Sequence, residues 1–227
     1  MTLTAYRADD PPSEHSPPTP DQPAPLERAA LTADVTTVAQ RLLGTLLVRD
    51  DGATRRIARI VETEAYAGSH DRASHARAGM TPRTRVMFGP PGHAYVYLVY
   101  GLHHCLNVVC GQEGEAAAVL IRAVEPLAGV EAMRTARGRP GDPEARLAAG
   151  PARTCQALDI DRRLDGLDLL DEHRLWLAER PGDRAPQAIV SGPRIGVEYA
   201  GREWAAKPWR FGVADSAALS KPFRERD

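Results

Sequence analysis

Apolar residues recur at helical spacing in only a few stretches of this chain and alternate with polar ones in many more, a contrast that predicts a sheet with a few helices packed on it. Thr32 is placed to cap a helix that carries Val35, Val38, Leu42 and Leu43 on one face, with Gly44 suited to a left-handed terminal position. Two strands follow, Thr45–Arg49 and Arg55–Tyr66, joined across Asp50-Asp51-Gly52, where Gly52 supplies the positive φ of a hairpin turn. Residues 68–91 show no period. Ala94–Tyr100 and His103–Cys110 then read as a second hairpin around Tyr100-Gly101-Leu102. Ala117–Ala123 is a further strand, Leu127, Val130 and Met133 share one face of a helix ending near Gly138, and Gly150-Pro151 opens another helix toward Leu158. Short strands are expected at Arg174–Leu177, Ala188–Val190, Ile195–Tyr199 and Arg210–Val213. The fold class expected is α+β, a single mixed domain with a curved, mostly antiparallel sheet, flanking helices and a protruding β-hairpin.

Residues 1–26 hold seven prolines and too little apolar surface to offset ordering entropy, so they are expected to be a disordered acidic tail ahead of a catalytic domain at 27–220 and a C-terminal tail at 221–227. The 227 residues are 43% hydrophobic and 26% charged, and no apolar run approaches the roughly 20 residues of a membrane span. No secretory leader is evident, and Cys105, Cys110 and Cys155 form no disulfide or metal pattern, so a cytoplasmic location and buried thiols are expected. The net charge of −1 is unevenly spread: Arg7 against Asp9, Asp10, Glu14 and Asp21 leaves the tail at −3 and the remaining chain at +2. From Arg72 to Gln112 there is no acid, while Arg72, Arg77, Arg83, Arg85 and four histidines lie inside, a surface that a phosphate backbone can approach.

Four of the six tyrosines, Tyr66, Tyr95, Tyr97 and Tyr100, border or occupy that stretch. Tyrosine favours strands in any protein, but aromatics among arginines also suit base stacking. Alternation puts Tyr95 and Tyr97 on one face, where Tyr97 can line a pocket, and leaves Tyr100 at the hairpin tip as a candidate wedge. Glu62 and Glu64 share a strand face with Tyr66; either could be a solvated strand-end acid, or Glu64 a general base beside an aromatic. His70, Asp71, His75, His103 and His104 obey no metal-ligand spacing, so no metal is expected, and no nucleotide-cofactor or serine-hydrolase motif is present. The only lysines, Lys207 and Lys221, lie far along the chain from the tyrosines, which disfavours a Schiff-base lyase.

The strings Arg59-Ile-Val-Glu-Thr-Glu-Ala-Tyr66, Met87-Phe88, Tyr95-Val-Tyr-Leu-Val-Tyr-Gly101, Asn107-Val108, Leu120-Ile-Arg-Ala-Val-Glu-Pro126, Gly150-Pro-Ala-Arg153, Arg194-Ile-Gly-Val197 and Lys207-Pro-Trp-Arg-Phe211 occur in the order in which the alkyladenine (3-methyladenine) DNA glycosylase family carries them. The resemblance covers roughly residues 35–213. It departs at Arg153-Thr154, where the family usually has a basic residue followed by Leu, and in the N-terminal tail. It implies that Glu64 is the general base, that Arg122 helps hold the catalytic water and local phosphate, and that Tyr66 and Tyr97 stack on a flipped base. It likewise implies that His75 hydrogen-bonds in the pocket, that Asn107 disfavours ordinary guanine, and that Tyr100 intercalates. Arg77, Arg83 and Arg85 are candidates for the DNA backbone.

The function expected is that of a monofunctional base-excision-repair glycosylase, a monomer acting without a cofactor on double-stranded DNA that contains a damaged purine. Two rivals use the same residues otherwise. One is a non-catalytic nucleic-acid-binding module, and the other a nucleoside hydrolase with Glu62 and Glu64 as its carboxylate pair.

Overall fold

In a computed structural model of the chain, residues 23–180 and 188–223 are described. All but the last four residues of the expected N-terminal tail, and residues 224–227 of the C-terminal one, lie outside them. The strands are β1 (Leu46–Asp50), β2 (Arg55–Ala67), β3 (Ala94–Val99), β4 (His103–Cys110), β5 (Ala117–Ala128), β6 (Leu175–Ala178), β7 (Ile189–Gly192) and β8 (Arg210–Val213). The α-helices are α1 (Val35–Arg41), α2 (Val130–Arg137), α3 (Glu144–Leu147), α4 (Pro151–Ala157) and α5 (Arg202–Ala206). Every strand pairing is antiparallel, in the order β3-β4-β5-β2-β1-β6, with β8 added to β2 and β7 to β8. The chain is therefore α+β, one domain built on a curled antiparallel sheet.

Strand β2 organises the sheet. Its first half pairs with β1, its second half with β8, and β5 runs along its other side throughout. Register shifts between Ile60 and Thr63 mark the changeover, where the extra residue of a bulge bends the strand. Residues 55–59 alternate between exposed and buried, as a half-covered strand should, whereas Ile60–Ala65 are buried without interruption because both faces are covered there. Glu62 and Glu64 fall inside that run and have no exposed surface, so neither is the solvated strand-end acid that was one reading of the sequence.

The main core lies between the sheet and α1, α2 and α4, and includes Leu42, Leu47, Ile60, Leu106, Ile121, Met133 and Leu158. A smaller cluster of Ala76, Met87, Tyr95, Val109, Ala116 and Ala118, with Tyr97 packed against it, supports the region between β3 and the turns that precede it. Gly52 has φ +87°, as the first hairpin requires, and α4 begins at Pro151. The residues without period, 68–91, form three short 3₁₀ turns, Gly68–His70, His75–Ala78 and Arg85–Phe88.

Three local expectations are corrected. Thr32 ends a 3₁₀ turn, and Asp34 caps α1 by accepting from the amides of Thr36 and Thr37. Leu127 is an exposed residue of β5, which continues to Ala128, and α2 starts only after Gly129 at φ +71°. Ile195–Tyr199 is not a strand, because Gly196 takes φ +77° and the Ile195 amide donates to a side chain, Glu64 Oε1, rather than to a ladder.

The cap is testable by denaturation. Thr36 and Thr37 hold the Asp34 carboxyl at about 2, well below the ordinary value, so the bonds persist at neutral pH. Asp34→Ala should cost about 1 kcal/mol in urea unfolding, as loss of a helix cap does, while Thr32→Ala should stay within about 0.5 kcal/mol. Equal losses at both positions would contradict the assignment.

Candidate active site

A cavity of about 380 Å³ opens where β3, β4 and β5 meet the turns at 73–87 and the segment 195–199. That volume lies in the range of small-molecule pockets, about 300–1,000 Å³. Its walls include Tyr66, His75, Arg83, Tyr95, Tyr97, Tyr100, Asn107, Arg122, Ile195 and Tyr199. The structure thus brings together seven of the sequence-predicted site residues: Tyr66, His75, Arg83, Tyr97, Tyr100, Asn107 and Arg122. Arg77 and Arg85 are exposed nearby but do not line it.

The eighth, Glu64, lies directly behind the wall. Its Oε2 accepts from the Tyr66 hydroxyl at 2.8 Å and faces Arg122 Nη1 at 3.3 Å, while Oε1 accepts from the Ile195 amide at 2.8 Å. All three partners line the cavity, so the carboxylate is one layer from it. Two oxygens offer about four lone-pair sites, and these three contacts leave acceptor capacity for a water. Burial and the neighbouring Glu64 push the Tyr66 hydroxyl well above its ordinary pKa, so it remains a donor. Arg122 is opposed by burial, but Glu64 and Glu62 hold its pKa above the usual value and keep it charged.

The aromatic wall is built on β3, where alternation points Tyr95 and Tyr97 to one face; their rings stack with centroids 5.3 Å apart. His75 stands edge-on to Tyr97 at 4.5 Å, and its Nδ1 is 3.1 Å from the Tyr95 hydroxyl. Arg83 lies over the outer part of this group, 5.3 Å from the Tyr97 ring. Asn107 donates its side-chain amide to the Tyr95 carbonyl at 3.1 Å, which fixes one end of that side chain at the wall. Tyr100 is 90% exposed and sits with Gly101 in a tight turn where both residues have positive φ, an uncommon conformation for a bulky side chain.

Several contacts of the site carry no signal in the sequence. Asp71 is not placed for a metal: it bonds Arg194 through both carboxylate oxygens, with both side chains fully buried. Among the described residues no cluster suited to a metal ion occurs. The Arg194 guanidinium also lies 4.8 Å from the Tyr66 ring and donates to the Ala65 carbonyl, so it braces Tyr66 from behind and anchors the segment that presents the Ile195 amide to Glu64. The partners are 123 positions apart, and only tertiary structure joins them. Tyr199, 69% exposed, is fixed at the rim by its hydroxyl bond to the Ala73 carbonyl. The three cysteines are buried and unpaired.

The sequence model of the family described as methylpurine-DNA glycosylase matches residues 29–217 of the chain. A protein of Anaeromyxobacter dehalogenans (strain 2CP-C) is 52% identical over 198 residues, covering 87% of each chain. One of Myxococcus xanthus is 51% identical over 185 residues, 81% of this chain and 87% of the relative, and one of Methanocella arvoryzae 50% identical over 188, 81% and 90%. All three carry the name "Putative 3-methyladenine DNA glycosylase".

His75 gives the cavity a pH signature. Burial, reinforced by Arg83, lowers its pKa from 6.5 to about 4, so the imidazole is neutral at pH 7. Between those values the unfolded chain takes up a proton that the folded chain refuses, so this contribution to stability is full above pH 6.5 and is lost as pH falls toward 4. Melting temperatures followed from pH 7 to 4 should fall less steeply in His75→Gln than in the wild type; parallel curves would contradict the burial of a neutral imidazole.

Proposed function

The chain belongs to the methylpurine-DNA glycosylase family and is a DNA glycosylase, and from that premise we propose that it releases alkylated or deaminated purines of the 3-methyladenine, 7-methylguanine, hypoxanthine and ethenoadenine class from double-stranded DNA through a water activated by Glu64. The observation that carries this reading is a buried carboxylate held between Arg122 and the Tyr66 hydroxyl, one layer behind an aromatic-walled cavity.

An extruded purine enters that cavity and stacks on Tyr97 and Tyr66. Stacking returns about 1–3 kcal/mol per base, comparable to the few kcal/mol needed to unstack one, so weakly paired lesions are extruded preferentially. The negative faces of tyrosine rings favour an N-alkylated, cationic purine over its neutral parent. Tyr100, exposed at the turn, fills the gap left in the duplex. Asn107, fixed by its bond to the Tyr95 carbonyl, is positioned to disfavour ordinary guanine. Arg77, Arg83 and Arg85 meet phosphates along the acid-free face, with Arg83 doing so from the rim of the cavity itself.

In the chemical step the water oxygen bonds to C1′ of the deoxyribose and passes a proton to Glu64, while the glycosidic bond breaks and its electron pair leaves with the purine. An N-alkylated base, cationic while attached, departs neutral, whereas a neutral lesion such as hypoxanthine must also take up a proton on the purine as it leaves. Arg122 orients Glu64 toward the water and the developing oxocarbenium charge, and a positioned base of this kind contributes about 10²–10⁴-fold. Glu62 does not serve as a second catalytic carboxylate: it is as buried as Glu64, but its partners Arg210 and Ser220 lie off the cavity wall, whereas all three partners of Glu64 line it.

The enzyme acts as a monomer and without a cofactor. It forms no Schiff base, a reading supported by Lys207, whose ammonium rests on the rings of Trp204 and Trp209 at 4.5 and 4.9 Å rather than in the cavity. No helix of the described residues is long and apolar enough to cross a membrane, in keeping with work in the cytoplasm or, in a bacterium, at the nucleoid.

Glu64→Gln should abolish release of hypoxanthine from a duplex oligonucleotide and of alkylated bases from methylated DNA while leaving duplex affinity within about threefold. Surviving excision would overturn the role of Glu64, and loss of binding in step with activity would favour a structural one. Tyr97→Ala should weaken excision more than it weakens bulk DNA binding, and borohydride should trap no covalent enzyme–DNA adduct.

A further inference from the structure

The chain beyond β8 turns back beneath the site. Ala218 is buried against Val61 and Ala123. Two residues on, the Ser220 amide donates to Glu62 Oε2 at 2.6 Å and the Ser220 hydroxyl to Oε1 at 2.8 Å. Arg210 of β8 donates to the same Oε1 at 3.1 Å, clasps the carbonyls of Lys221 and Pro222 at 3.1 and 3.0 Å, and lies 3.8 Å above the Phe223 ring. Phe223 packs so closely on β8 that a Cβ at Gly212 would come within 2.6 Å of its ring. These three residues of the expected C-terminal tail are thus part of the packed structure.

All of this converges on Arg122. Its Nε is 3.4 Å from Glu62 Oε1, its Nη2 donates to the Ser220 hydroxyl at 3.4 Å, and its Nη1 lies 3.3 Å from Glu64 Oε2. A guanidinium is a rigid planar fork, so a hydrogen bond from Nη2 to Ser220, with the Glu62 charge beside an Nε that has no hydrogen-bond partner, biases the direction of Nη1. Glu62, like Glu64, has no exposed surface, but of its partners Arg122, Arg210 and Ser220 only Arg122 lines the cavity, so Arg122 is its route to the reaction.

We propose that Glu62 and the C-terminal strap Ser220–Phe223 are positioning residues for Arg122, setting its guanidinium against Glu64 without themselves meeting DNA. The proposal rests on the reading that Glu64 and Arg122 act on the substrate, and it assigns to the last described residues of the chain a direct effect on turnover. A carboxylate present only to neutralise Arg210 would be indifferent to Arg122.

Single-turnover excision from a hypoxanthine duplex at saturating enzyme, together with the affinity for that duplex, separates the two. Glu62→Gln keeps an acceptor for Ser220 but removes the charge, and should slow excision about tenfold with affinity within about threefold, a coupling of the size seen for residues sharing one network. Made in an Arg122→Lys background, the same change should alter the rate by less than about threefold, because the fork it orients is gone. Equal slowing in both backgrounds, or no slowing in the first, overturns the proposal. Phe223→Ala leaves every charge in place and carries the test should Glu62→Gln fail to fold: a rate several-fold lower at unchanged affinity supports the strap, and an unchanged rate overturns it. Glu64→Gln, run alongside, keeps the premise separate, since excision that survives it would sink the catalytic reading itself, whereas its loss with normal Glu62→Gln and Phe223→Ala rates would sink only the positioning role.

Discussion

Strand β2 carries two carboxylates, Glu62 and Glu64, into the middle of a sheet covered on both faces, and the fold holds them there because Arg122 on β5 and Arg210 on β8 arrive beside them. Each charge alone would have to shed its water for no return, at a penalty of several kcal/mol. Together they alternate in sign from Glu64 through Arg122 and Glu62 to Arg210, and backbone amides at Ile195 and Ser220 take up further lone pairs. Removing an interior member, Arg122 or Glu62, takes the charge partner from Glu64 or Arg210, and breaking a buried pair in this way costs about 3–5 kcal/mol. The bulge in β2 lies at the same place, so the bend of the sheet, the addition of β8 and the placement of the charges are parts of one arrangement.

The cavity inherits its character from that arrangement. Arg122 and the Tyr66 hydroxyl both contact Glu64 and both face the cavity, so the charged layer is presented through donors with fixed directions rather than as a bare carboxylate. The stacked rings of Tyr95 and Tyr97 on β3 line the same cavity, with His75, neutral at pH 7, edge-on beside them. A flat, electron-rich wall with Glu64 one layer behind the cavity suits the proposed substrate, a cationic purine attached to a sugar. For the proposed DNA-facing side, residues 72–112 offer an acid-free stretch of sequence and, at a turn, the exposed ring of Tyr100.

Alternation and turn chemistry made most of this sheet legible in the sequence: Gly52 and Pro151 stand where the structure uses them, and Tyr95 and Tyr97 share a face as their spacing demands. The failures are also physical. Ile195–Tyr199 has the composition of a strand, but its amide is spent on Glu64, a partner 131 positions away. Leu127 fits the helical face of α2 yet continues β5, because Gly129 rather than any apolar period decides where that helix can begin. Asp71–Arg194 and Glu62–Ser220 were illegible for the same reason: ion pairs and hydrogen bonds between distant segments leave no period, and an acid on a strand looks solvated until its covering elements are known.

The central claim is that the cavity receives a purine turned out of the duplex, with a water set against Glu64. A crystal structure of the Glu64→Gln protein on a duplex with a single ethenoadenine tests it most directly. The lesion should lie in the cavity against Tyr97 and Tyr66, with the Tyr100 ring in the vacated stack and a water within reach of both residue 64 and C1′. A lesion still stacked in the helix above an empty cavity, or a base bound with residue 64 out of reach of any such water, would contradict it.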